Sequence, residues 1–188
     1  AVATYIDGVP QLAISSTNIP LLDVERIEFL RGPQATLYGR NALGGLMHVI
    51  SKRPSLNENS VALQGTVGDY GYYEGNVRAN RVLKQDELAL SISGLYMERE
   101  GYTTNTITGN DVDFRETLFG RAQLLWAIDD QNELRVDIHG ERARDGGFTL
   151  TELTGLRAMP HRLAYDFEGV TERDILSPSV TWEHAGDT

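Results

Sequence analysis

From Ser60 to His184 the chain alternates apolar and polar residues with a period of two, the spacing of a β-strand. The clearest stretch is "NELRVDIHGE", where Leu134, Val136, Ile138 and Gly140 oppose Glu133, Arg135, Asp137, His139 and Glu141. "TLFGRAQLLWAI" sets Leu118, Gly120, Ala122, Leu124 and Trp126 against Thr117, Phe119, Arg121, Gln123 and Leu125. "ELALSISGLYMER" has Leu88, Leu90, Ile92, Gly94 and Tyr96 on one side, and "LSPSVTWEH" has Leu176, Pro178, Val180 and Trp182. "SVALQGTVG" and "YEGNVRANRVL" repeat the pattern nearer the start. Six strands, each with one apolar face, are therefore predicted.

Alternation by itself fits both a soluble sandwich and a membrane barrel. The connections separate them better. Short turns at 84–86 and 129–131 take turns with long polar loops at about 101–113 and 143–174, so the long loops gather at one end, although "DYGY" at 69–72 is short. Strands of about ten residues, short turns at one end and long loops at the other match a transmembrane β-barrel. Trp126 and Trp182 fall at the short-turn end, where an interfacial girdle would hold them. Single-chain bacterial barrels have at least ~8 strands, so six make an incomplete barrel with open edges. Such edges predict aggregation, or dependence on detergent or partners.

The first 53 residues read differently. "VATYIDGVPQLAI" is strand, turn, strand, with Asp7-Gly8 as a two-residue hairpin signal. Ser15 to Asn18 form a loop, and "IPLLDVER" reads as a helical turn opened by Pro20. "RIEFL" is a strand, "PQATLY" a short helix started by Pro33 and stopped by Gly39, and "GLMHVISK" a further strand. The expectation is a small mixed sheet with short helices.

Composition removes several alternatives. A net charge of -10 argues against a nucleic-acid partner. No cysteine is present, which excludes disulfides and thiolate metal sites, and no window approaches the ~20 apolar residues of a spanning helix. Gly39 to Gly44 has the spacing of a phosphate loop, but Gly45 and Leu46 stand where Lys and Ser or Thr are required. His48, His139, His161 and His184 show no ligand spacing, and "TGNDVD" lacks the glycine and final Glu of a calcium loop. Tyr70, Tyr72, Tyr73 and Tyr102 lie near one rim, as girdle anchors or as a stacking surface for a solute. A chain that starts without Met and stops at "HAGDT" reads as a segment of a longer protein.

The order "YIDGVP", "VERIEFLRGP", "LYGRNALGGLMHVISKRP" and then alternating strands resembles the TonB-dependent outer-membrane receptors. The likeness covers essentially the whole chain, with its specific core at Glu25 to Pro54. It implies that residues 1–54 are the C-terminal half of a plug and residues 60–188 the first six or so strands of a barrel. In such a receptor a barrel of roughly 22 strands is closed from inside by the plug. The resemblance further implies that Arg31, with Arg26, pairs with wall carboxylates. Gly32, Pro33, Tyr38, Gly39, Gly44 and Gly45 would complete the locking segment. Gln11, Ser15, Ser16, Thr17 and Asn18 would face the solute, or else form an ordinary exposed loop. The implied partners are an iron chelate or similar large solute, the TonB complex and outer-membrane lipid. Neither a cofactor, a metal site nor an enzymatic reaction is implied. A passive porin-like barrel or adhesin, and a soluble β-rich binding domain, are the competing readings.

Overall fold

The computed structural model describes residues 2–11, 20, 22–32, 44–147, 155, 157 and 159–186. Its first four strands are β1 (Val2–Ile6), β2 (Val9–Pro10), β3 (Val24–Arg31) and β4 (Gly45–Ser51), in the order β2-β1-β4-β3. β1 runs parallel to β4, from Val2 opposite Gly45 to Ile6 opposite Val49, while the other two pairings are antiparallel. The sheet is mixed, as expected. Asp7 and Gly8 both take positive φ, 48° and 84°, which is the twist-matched turn that joins a two-residue hairpin. Ala3 and Leu46 are buried together, with Tyr5 and Leu30 packed against them. Gly45 permits the β3–β4 approach: at φ 140°, a Cβ there would lie 2.6 Å from the Leu30 carbonyl oxygen.

One expectation changes here. Leu22 and Asp23 form a turn and β3 starts at Val24, so "DVER" is mostly strand rather than helical turn. Pairing of Val24 with Ser51, followed by an irregularity before Arg26, extends the sheet past the local helical signal. The predicted helix at 33–38 lies outside the described residues.

The second sheet is larger. After β5 (Ser60–Val67), β6 (Tyr73–Lys84) and β7 (Leu88–Arg99), a connection carries β8 (Thr103–Asn105) and β9 (Asp111–Val112). Then come β10 (Arg115–Ala127), β11 (Asn132–Gly146), a connection with β12 (Arg162–Leu163), and β13 (Val170–His184). The six long strands are ordered β13-β11-β10-β7-β6-β5, each antiparallel to the next in sequence, and the sheet stays open at β5 and β13.

Burial along these strands is the inverse of a soluble sandwich. On β10 the covered residues are Thr117, Phe119, Arg121, Gln123 and Leu125, whereas Leu118 and Trp126 are exposed. On β11, Asp137, His139 and Glu141 are buried and Ile138 is exposed; on β13, Leu176 is 75% and Trp182 68% exposed. The apolar face looks outward and the polar face inward, the arrangement of a wall that meets lipid on its outside. The outward band is bounded by charge at one end, where Arg142 meets Asp174 at 2.8 Å and Arg144 meets Glu172 at 3.7 Å. Trp126 and Trp182 mark the other end. Between Leu118 and Trp126 run roughly 26 Å of strand, which at a barrel tilt of ~40° rises about 20 Å, most of the ~25 Å apolar band of outer-membrane barrels.

The strands also exceed their predicted lengths. The supposed 143–174 loop loses its ends to β11 and β13, whose pairing continues to Gly146 and Val170. Beyond the outward apolar band both faces are polar, so the alternation that marks a strand disappears from the sequence while the ladder continues. The two long connections are not independent either, because β12 pairs with β8 and β8 with β9. Asn105, fully buried, organises them: its Nδ2 donates to the Tyr165 carbonyl at 2.8 Å and to Glu168 at 2.9 Å, and its Oδ1 accepts from the Tyr165 and Ile107 amides.

Candidate functional site: the junction of the two sheets

The small sheet lies against the polar face of the large one, and their deepest charged contact is built on Asp7. The hairpin turn aims its carboxylate at the end of β4, where Oδ1 accepts from the Ser51 amide and Oδ2 from the Ser51 hydroxyl, both at 2.8 Å. Arg121 reaches this carboxylate from the middle of β10. Its Nη2 donates to Asp7 Oδ2, its Nη1 to Ser51 Oγ, and its Nε to Asp137 Oδ2 on β11 at 2.6 Å. Asp137 Oδ1 in turn lies 3.0 Å from His139 Nδ1. Arg121 is 6% and Asp137 3% exposed, so one guanidinium is enclosed with two carboxylates in a setting where charge interactions are weakly screened. A void of only about 30 Å³, lined by Thr4, Ile6, Val49, Phe119 and His139 among others, shows how closely the sheets meet beside it.

Burial pushes the Asp7 carboxyl up, but the Ser51 amide and the Arg121 guanidinium outweigh it and hold the group below its ordinary value. A depressed folded value means that the stabilisation is complete above the unfolded value of ~3.9 and is lost as pH falls through the folded one. Docking of the two sheets is therefore expected to be flat from about pH 5 to 8 and to weaken in stronger acid. Asp7→Asn should remove Asp7's share of that acid sensitivity, at a cost of about 1.5–3 kcal/mol at neutral pH. Denaturant midpoints for release of the small sheet, measured against pH, check this; an unchanged acid limb in Asp7→Asn would count against it.

Further contacts surround the junction. Arg53, just after β4, donates to Glu133 at 2.9 Å and to Glu183 at 3.2 Å, at the short-turn end of β11 and β13. Arg78 lies 3.8 Å from Asp23. The connecting segment is pinned to β6, since Ser55 N donates to Asn80 Oδ1 at 3.0 Å and Asn80 Nδ2 to the Ser55 carbonyl at 2.9 Å. Towards the long-loop end a polar cavity of about 410 Å³ opens between Leu22 and the wall residues Arg78, Arg115, Glu141 and Arg173.

Several of the residues singled out from sequence fall among the described ones. Arg26 is exposed and pairs on its own strand, with Glu25 at 2.6 Å and Glu28 at 2.8 Å. Arg31 ends β3 opposite Gly45, Gly32 follows at φ 84°, and Gly44 is exposed. The Gln11 amide donates to the Thr4 carbonyl at 2.9 Å. Pro33, Tyr38, Gly39, Ser15, Ser16, Thr17 and Asn18 lie outside the described residues. Asp7, Ser51, Arg121 and Asp137 were not among the candidates. Asp7 and Ser51 fall inside the quoted "YIDGVP" and "GLMHVISKRP" stretches, whereas the only trace of the other two is parity: Arg121 and Asp137 share the polar face of their strands, which is an odd place for an arginine unless something meets it there. At the rim, Tyr70 and Tyr102 pack at 5.6 Å between ring centroids, with Arg99 over the Tyr102 ring. Among the described residues no group of three or more His, Asp or Glu is placed to hold a metal ion.

Comparison with known proteins agrees with this geometry. The family model of the TonB-dependent Receptor Plug Domain matches residues 1–46. The pesticin receptor of Yersinia pestis is 33% identical over 132 residues, covering 70% of this chain and 19% of that protein. The vitamin B12 transporter of Vibrio cholerae is 31% identical over 118 residues, 60% of this chain and 19% of that protein. In fold, the crystal structure of the ferric yersiniabactin uptake receptor from Yersinia pestis matches 99% of this chain and 30% of its own, with a TM-score of 0.88 and 26% identity. The chain thus spans about a fifth of the length of these curated relatives. With a small mixed sheet matched as plug, and a six-stranded sheet whose apolar face looks outward, the chain belongs to the TonB-dependent receptors.

Proposed function

We propose that this chain is part of a receptor of the bacterial outer membrane that binds an iron–siderophore or similar large chelate and imports it with energy delivered through TonB. The observation that carries the reading is the plug sheet seated on the polar face of a wall whose other face is apolar, held there by Asp7 and Arg121. A passive pore has no use for an element that fills its lumen, and a soluble binding domain does not turn Leu176, Val180 and Trp182 outward. Likeness to a structure named as a ferric yersiniabactin uptake receptor supports the choice of a chelate as solute. On this reading residues 1–54 are the C-terminal half of the plug and 60–188 the first barrel strands. The solute enters from the long-loop end, towards the polar cavity beside Leu22. Gln11 and residues 15–18 supply plug contacts to it, while Arg26 and Arg31 help to hold plug to barrel. No bond is made or broken.

Uptake of radioiron-loaded siderophores by cells that express the full receptor under iron limitation tests the proposal. Saturable uptake that is lost in cells lacking TonB is expected. Uptake indifferent both to iron supply and to TonB would overturn it.

A further inference from the structure

Arg121 has partners of two kinds. Asp7 and Ser51 belong to the plug, whereas Asp137 belongs to the adjacent wall strand and is itself in contact with His139. If the plug moves away, the first pair leaves with it and the second stays. We propose that Asp137 is a positioning residue: it keeps the Arg121 guanidinium aimed into the lumen while the plug is displaced, so that the returning Asp7 meets an already oriented receiver. This rests on the reading of the small sheet as a plug that leaves and returns.

The charges favour a division of labour. In the seated state Arg121 and Asp7 already balance one another, so neutralising Asp137 leaves no unpaired charge at the seam. In the displaced state Asp137 is the only carboxylate among the described residues bonded to Arg121. Without it the side chain regains its rotamer freedom, which must be lost again before the plug can seat. Cross-strand geometry suits the task. Arg121 stands opposite His139 and Gln123 opposite Asp137, so the bond runs diagonally between neighbouring β10 and β11, and the ladder holds it with or without the plug.

The test uses single full receptors in a planar bilayer, with plug release driven by moderate urea and followed as opening and closing of conductance. Asp137→Asn should slow reclosing about fivefold, the size expected for one ion pair in a hydrated lumen, with opening nearly unchanged. Asp7→Asn should instead speed opening. Asp137→Glu, which restores a carboxylate, should recover most of the reclosing rate. Asp137→Ser serves the same comparison where Asp137→Asn does not assemble. If the Asp137 variants speed opening as Asp7→Asn does and leave reclosing untouched, Asp137 is an ordinary member of the seam and the proposal is overturned. A wild-type receptor that never closes would instead remove the plug reading on which it rests.

Discussion

Arg121→Met is expected to unseat the plug. The substitution leaves Asp7 and Asp137 facing each other in a buried seam without their cation, and breaking a buried pair from one side costs about 3–5 kcal/mol. The measurement is the free energy of plug release in the full receptor, with ion conductance and entry of large antibiotics as independent readings of an open lumen. The same physics predicts a rescue. Replacing all three charges, as Asp7→Asn, Arg121→Met and Asp137→Asn together, should return the seam to near its original stability, because a neutral, well-packed substitute for a buried ion cluster is often no worse than the cluster. Arg142→Ala is the control: its partner Asp174 and it are both more than two-thirds exposed, and the loss should stay below about 1 kcal/mol. If Arg121→Met costs no more than Arg142→Ala, the junction described here does not hold the plug.

The second large effect belongs to the outer face. Val180 stands within the apolar band of β13, between Leu176 and Trp182, and is 68% exposed. On a soluble protein an exposed Val→Arg change lies within about 0.5 kcal/mol of neutral. In a lipid-facing wall the same change, two residues inside the Trp182 end of the band, should cost about 1–3 kcal/mol, between the interfacial and midplane values. Folding of the full receptor into lipid vesicles, followed by resistance to urea and by heat-dependent gel mobility, separates the two. A neutral result would mean that this face does not meet lipid.

How much of this was legible in the sequence follows from the range of each interaction. The Asp7-Gly8 hairpin and the six alternating strands depend on neighbours one or two positions away, and they stand where the residues place them. The parallel pairing of β1 with β4 carries no local mark, since it joins Val2 to Gly45. Strand length exceeds the alternating stretch where Arg142 and Arg144 carry β11 beyond the apolar band, because hydropathy alternates only while one side of the wall is apolar. The junction was hidden for a similar reason. Arg121 and Asp7 are 114 positions apart, and nothing in either neighbourhood names the other. The motif around Arg31 pointed to the right family, and charge contacts from wall to plug run through Asp7, Asp23 and Arg53.

The small sheet that joins the two long connections has a bearing on how such a receptor can change. Thr106 donates to the Leu163 carbonyl at 2.8 Å, and Asn105 and Asn110 both reach Glu168, which is held below its ordinary carboxylate value by Thr108, Asn110 and Asn105 in that order. Two stretches of chain separated by a whole hairpin are thereby one surface. A graft that exchanges only the first connection for that of a relative strands Glu168 and the Tyr165 backbone without their partners. New outer surfaces on this scaffold are thus expected to arise by exchanging both connections at once, as a matched set.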